Sequence, residues 1–210
     1  MQLKTLLLIS SLCVGSYATT NAQGFVPTNM NFETGTTANW TYYAGTVATG
    51  HIFSVSPTPA TTGLHEITTG SGTDYYGGFP VVGSGMYSLK LAHDTGDNNA
   101  DAASYTIHVP TGGMYTLEYR YAAVLQDTAH MPSMLPIMKV TATDSATGLT
   151  LSDSLSVMGT SSGFMLSTMG SGVFYKPWTA ATIDMTGYGG HTVIVKFIVS
   201  ACASAGHFGY

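Results

Sequence analysis

The stretch LQDTAH sets Gln126, Asp127 and His130 directly after a tyrosine-rich segment that includes Tyr119, and a further histidine, His207, stands in the closing CASAGHFGY. One carboxylate with two imidazoles can ligate a metal ion or tune a general base, and the same groups beside tyrosine rings suit sugar hydroxyls. Tyr119, Gln126, Asp127, His130 and His207 are therefore the candidate ligand-binding residues. The competing reading has Asp127 capping a turn and His207 serving as a hydrogen-bonded structural histidine. A second polar group lies in HDTGDNNAD, where Asp94, Asp97, Asn98, Asn99 and Asp101 could wrap a cation. Its spacing does not match an EF-hand loop, and Asx residues make good turns without metal. Asp94 and Asp97 are kept as candidate metal ligands beside that turn reading.

Catalytic signatures are missing from the sequence. It contains no G-x-S-x-G elbow, no H-E-x-x-H and no phosphate loop. GSGTDYYGG and VGSGM are glycine-rich but precede no helical pattern, so they offer no helix N-terminus to a phosphate. With 11 Asp and Glu in all, mostly in turns, no carboxylate pair for glycoside hydrolysis stands out. The expectation is a protein that is not an enzyme. Only 6 Lys and Arg, and a net charge of −5, speak against nucleic acid or an anionic membrane as partner, because phosphates would find too few cations.

The elements that must hold these residues read as strands. MYSLKL (86–91), SYTIHV (104–109), MYTLEYRYAAVL (114–125), IMKVTATD (137–144) and HTVIVKFIVS (191–200) alternate with period two. In the third, Tyr115, Leu117, Tyr119 and Tyr121 share one face, and Thr116, Glu118 and Arg120 the other. In the last, Val193, Val195, Phe197 and Val199 form the buried side. Turn clusters such as SGTDYYGG, PTGG, DSATG and TGYGG separate them. Charged residues make up only 8% of the chain, too few for the wet faces of long helices, while 44% hydrophobic content fills one core. Strands at roughly ten-residue spacing with no fixed repeat predict an all-β fold, one antiparallel β-sandwich of jelly-roll type.

Lys4, the apolar run from Leu6 to Val14, and the small residues at Ala18 and Ala22 read as a secretory signal over 1–22, leaving one sandwich domain over 23–210. No apolar stretch is long enough for a transmembrane helix, so the expected location is secreted or at the cell surface. Cys13 falls inside the signal and lacks the flanking small residue that a lipidated cysteine prefers. That leaves Cys202, which in an oxidising compartment is buried and inert or awaits a partner outside this chain. A single cysteine builds no zinc or redox motif.

Several blocks carry a family resemblance. NMNFETGTTANWTYY resembles the opening of jelly-roll carbohydrate-binding and adhesive modules, which places the sandwich among carbohydrate-binding-module or galactose-binding-like folds. GGFPVVGSGMYSLKL, YRYAAVLQDTAH, VFYKPWT and CASAGHFGY, in that order, resemble the N-terminal domain of large secreted adhesin-like proteins of the Bacteroidetes. Those surface proteins often carry PKD-type repeats and a gliding-motility or type IX secretion sorting domain further on. The resemblance spans nearly all of 30–210 and groups the blocks that hold Asp127, His130 and His207. It implies a non-catalytic module for adhesion or glycan recognition, joined to downstream domains of the same polypeptide. Its alternatives are a structural spacer or folding cap of a surface fibre and an accessory domain of a secreted hydrolase. In similar jelly rolls the residue equivalent to Glu33 helps bind a structural Ca²⁺, an ion that takes about six to eight oxygens; a plain hydrogen-bonded Glu33 is the alternative. The chain departs from the family at Ala201, where an acid or Asn is usual, and at Ala205-Gly206, where Gly-Gly is usual. The family's last strand also runs on past the position of Tyr210, which implies an incomplete final strand here.

Overall fold

A computed structural model describes residues 14–16, 26–127, 130–151 and 155–210. Twelve strands make up the described structure: β1 Val14–Ser16, β2 Trp40–Ala48, β3 Ile52–Thr58, β4 His65–Thr69, β5 Tyr87–Leu91, β6 Asn99–His108, β7 Tyr115–Gln126, β8 Ile137–Asp144, β9 Leu155–Val157, β10 Met165–Leu166, β11 Val173–Asp184 and β12 Thr192–Ser200. A single 3₁₀ turn at Pro132–Met134 is the one helical element among the described residues, and none of their helices is long and apolar enough to cross a membrane. The signal segment expected over 1–22 lies outside the described residues except for Val14–Ser16, which pair with Tyr115–Leu117 of β7.

The fold is an all-β, antiparallel sandwich. One sheet runs in the order β3-β2-β6-β12-β8-β9, the other β1-β7-β11-β10, and β4 and β5 form a separate hairpin sheet. The long strands β6, β7 and β8 switch sheets in turn, and β11 and β12 do the same, so the chain weaves between the layers as a jelly roll does. Period-two alternation decides which side chains fill the gap. Leu117, Tyr119, Tyr121, Ala123 and Leu125 of β7 face Val193, Val195 and Val199 of β12 in one cluster with Ile107, Val140 and Ala142. Tyr119 meets Phe197 edge-on across the layers, ring centroids 5.4 Å apart. Edge-to-face contact of this kind adds about 0.5–1.5 kcal/mol to the area the rings bury.

The N-terminal FETG…W block folds into turns around Asn29, which is buried. The Asn29 side-chain amide donates to the carbonyls of Thr36 and Ala38, and its backbone carbonyl accepts the Trp40 indole N–H at 3.0 Å. Phe32 stacks on Trp40 at 4.5 Å. At the other end of the chain, the backbones of Phe208 and Tyr210 bond to Gln126 and Val124, so these residues lie along the edge of β7.

Two features make the sheets testable. Gly45 in β2 lies against β3 so closely that a Cβ there would sit 2.0 Å from the Ser54 carbonyl oxygen. A glycine within a strand marks this kind of backbone approach. Separately, His65 and Asp101 are buried together, with Nε2 and Oδ1 4.0 Å apart. His65 Nδ1 accepts the Thr61 N–H, which places the proton on Nε2, where it is donated to the Tyr43 carbonyl at 3.1 Å. Burial holds the imidazole pKa below its usual value. Burial, with Asp97 adding to it, pushes the Asp101 carboxyl from 3.8 up to about 7.

Gly45→Ala should destabilise the fold by about 1–3 kcal/mol, the cost of overpacking; denaturant unfolding at parental stability would mean that β2 and β3 are not this close. For Asp101 the folded pKa is raised, so its contribution is full below the unfolded pKa and is lost as pH climbs through the folded one, by up to about 1.4 kcal/mol per pH unit. Lowered His65 acts oppositely, losing stability as pH falls below its ordinary range. Asp101→Asn should therefore match the parent near pH 4 and exceed it above pH 7 in thermal melts, and equal pH slopes for the two proteins would contradict this.

Candidate functional site

A cavity of about 450 Å³ opens beside β7, within the range of about 300–1,000 Å³ usual for small-ligand sites. β7 lines it from both faces, with Tyr119 and Tyr121 from the inner and Arg120 and Ala122 from the outer, so the cavity wraps around the edge of that strand. Glu66 and Thr68 of β4, Tyr87 and Lys90 of β5, and the loop over 70–86 close the opposite side. Trp178 completes the wall.

Trp178 reaches this place through a break in regular pairing. β11 follows β7 in register up to Lys176↔Ala123 and resumes at Thr179↔Tyr121, so Pro177 and Trp178 form a bulge. Proline cannot donate to a ladder, and a bulge re-aims the side chain beside it. The indole N–H then donates to the Pro80 carbonyl at 2.7 Å. Gly83 lies flat against the same ring, where a Cβ would meet the indole at 2.3 Å. The loop is thus built around the tryptophan face.

The polar groups on the walls are held in set orientations. Asp74 Oδ1 accepts the Tyr76 and Gly77 N–H groups, and Oδ2 accepts the Tyr210 hydroxyl at 2.8 Å. Burial and the Asp74 charge push that hydroxyl's pKa well above its usual value, which keeps it a donor. Lys90 Nζ sits 4.5 Å over the Tyr210 ring, and the Glu66 carboxylate accepts the Gly63 N–H. Among the described residues, the lining contains neither histidine nor cysteine. Aromatic faces set among fixed donors and acceptors suit a polyhydroxylated ligand with one apolar face.

The residues expected from the sequence to bind a ligand divide between two places. Tyr119 is buried between the sheets on the cavity wall. Asp127 lies eight residues further along the chain, about 26 Å at extended-strand spacing, so Tyr119 belongs to a different site. The structure does bring Asp127, His130 and His207 together, at the far end of β7. Burial raises the Asp127 carboxyl, and the charges of His207 and His130 pull it back down. The two imidazole rings meet edge-on at 4.7 Å. Gln126 turns elsewhere, donating to the Ser171 carbonyl at 3.4 Å. The unforeseen member of the group is Cys202, whose Sγ lies 3.0 Å from His130 Nδ1.

Glu33, Asp94 and Asp97 do not gather into one group of metal ligands among the described residues. The Glu33 carboxylate accepts the Met86 N–H with both oxygens, clamping the first turns to the start of β5. Asp97 accepts the backbone and side-chain N–H groups of Asn99 and lies 3.9 Å from His93, a self-bonded Asx turn. Asp94 acts on Tyr76 and Tyr210 through its charge.

No family model matches the chain, and no curated protein does. Among solved structures, the carbohydrate-binding module TmCBM61, in complex with β-1,4-galactotriose, is similar at a TM-score of 0.44 and 13% identity over 87% of this chain and 90% of that one. The enzymatically active domain of tailspike protein 4 from bacteriophage CBA120 is similar at a TM-score of 0.40 and 16% identity, and the chain spans 20% of it. At these values neither likeness bears on which residues bind.

Trp40 and Trp178 both line the cavity, but Trp40 is buried and Trp178 half-buried under the loop, so the quenchable part of the tryptophan emission reports the packing of the loop. Gly83→Ala should displace the indole and increase acrylamide quenching, and adding Trp178→Phe should abolish the increase. Unchanged quenching in Gly83→Ala would show that the loop does not rest on Trp178.

Proposed function

We propose that this chain is a non-catalytic, secreted module that recognises glycans at a cell surface, with the cavity beside β7 as its binding site. The observation that carries this reading is the pairing of Trp178, held by Pro80 and Gly83, with Arg120, Glu66 and Lys90 around one cavity of about 450 Å³. A sugar presents an axial C–H face that stacks on an aromatic ring and a rim of hydroxyls that pair with charged groups. Low charge, abundant turns and the signal-like N-terminus fit export, and the family resemblance fits a role as the N-terminal part of a larger surface protein whose downstream domains anchor it.

A glycan array probed with the full chain tests the proposal, followed by calorimetry on the strongest hit. Trp178→Ala and Arg120→Ala should each weaken binding about tenfold or more, equivalent to about 1.4 kcal/mol; Arg120→Ala should do so with unchanged melting temperature, whereas Trp178→Ala also removes the support of the loop. Background signal across the array from folded protein would favour a structural spacer, and release of reducing ends from the glycans would favour an enzyme.

A further inference from the structure

Away from the cavity, three ligating side chains converge where the sequence gives no metal motif. The nearest ligand atoms of His130, Cys202 and His207 all lie within 4.8 Å of one another. The chain is built to hold them there. The Cys202 N–H donates to the His207 carbonyl at 3.0 Å and the Ala205 N–H to the Cys202 carbonyl at 3.0 Å, closing a tight turn that sets the thiol beside the imidazole. The Ala203 N–H donates to the Met134 carbonyl at 2.9 Å, fastening that turn to the segment that follows His130. The Asp127 N–H donates to the Gly172 carbonyl at 2.7 Å and fixes the end of β7 beside both.

We infer that His130, Cys202 and His207 form a binding site for a borderline-soft transition-metal ion of the Zn²⁺ class, with Asp127 as the outer carboxylate that orients the imidazoles. A thiolate with two imidazoles is the donor set such ions select over calcium or magnesium. Metal–sulfur and metal–nitrogen bonds of about 2.3 and 2.0–2.1 Å put tetrahedral ligand atoms roughly 3.3–3.6 Å apart. The Cys202–His130 separation of 3.0 Å brackets that value from below and the 4.8 Å limit from above, so small side-chain rotations complete the site. Ser204 Oγ, 3.2 Å from both Cys202 Sγ and His130 Nδ1, marks the side on which a fourth ligand enters.

Two observations favour a metal over other uses of the same groups. Cys202 is fully buried, which bars a bulky substrate from the sulfur but not a small ion arriving past the partly exposed His130. Asp127 Oδ2 is buried with no hydrogen-bond partner among the described residues. Such an orphan is costly unless it serves a charge, and a carboxylate behind metal-bound histidines is a recurrent arrangement.

The test is Co²⁺ titration of the full chain, reduced, metal-stripped and free of any polyhistidine tag. One equivalent should bind and produce a thiolate-to-cobalt charge-transfer band that Zn²⁺ abolishes by displacement. Cys202→Ser should remove the band, His130→Gln and His207→Gln should weaken binding tenfold or more, and Asp127→Asn should keep the band while weakening binding by about 10–100-fold. If Cys202→Ser does not fold, His130→Gln at the partly exposed edge decides. Binding without the band, a band that survives Cys202→Ser, or parental affinity in His130→Gln would each overturn the inference.

Discussion

The alternation of side chains along β7 is the constraint on which the rest of the structure depends. A strand shows its residues to opposite faces in turn, and in Tyr115–Gln126 both faces are used. The inner set, Leu117 to Leu125, supplies the core's contact with the opposite sheet. The outer set, with Arg120 and Ala122, lines the cavity beneath the loop over 70–86. A one-residue slip in the pairing of β7 with β11 would exchange these sets, putting Arg120 in the core and tyrosines under the loop. The long ladder from Val173↔Gln126 to Asp184↔Thr116 prevents that slip, and its one irregularity, at Pro177 and Trp178, occurs where an indole is needed outside the regular pattern.

Strands that alternate and are buried on one side were legible in the sequence. The segment 137–144 is β8 residue for residue, and 114–125 differs from β7 by one position. The pattern failed where a strand lies at an edge or packs against backbone. β3 leaves Ile52 exposed, and β2 carries Ala44 and Gly45 where a periodic apolar residue would announce a strand. β11 contains Pro177, which marks a bulge that no alternation pattern announces. The FETG…W block was recognisable as a unit, but its Glu33 serves the Met86 backbone, a partner far along the chain that no local spacing could name.

The sites show the same division. Asp127, His130 and His207 were identifiable by residue type, and the fold does unite them. Cys202 reads as a solitary cysteine because its nearest partner, His130, is 72 residues away and reaches it only through the antiparallel closure of β7 and the terminal segment. The cavity was less legible still. Its members come from the N-terminal turns, β2, β4, β5, the loop over 70–86, β7, β8, a bulge in β11 and β12, so no stretch of sequence contains it. Tyr119, chosen because a tyrosine-rich strand suits sugar binding, reaches the cavity from the core side and shares no site with Asp127.

The proposal to test first is that the Trp178 cavity receives carbohydrate. The chain has 2 tryptophans, so two indole N–H resonances suffice to test it by nuclear magnetic resonance while galacto-, gluco-, manno- and xylo-oligosaccharides are added in turn to the full chain. That proposal predicts that at least one of these sugars shifts the Trp178 indole signal saturably, whatever happens to the signal of Trp40 on the inner wall of the same cavity. A sugar that binds while the Trp178 signal stays fixed would contradict it.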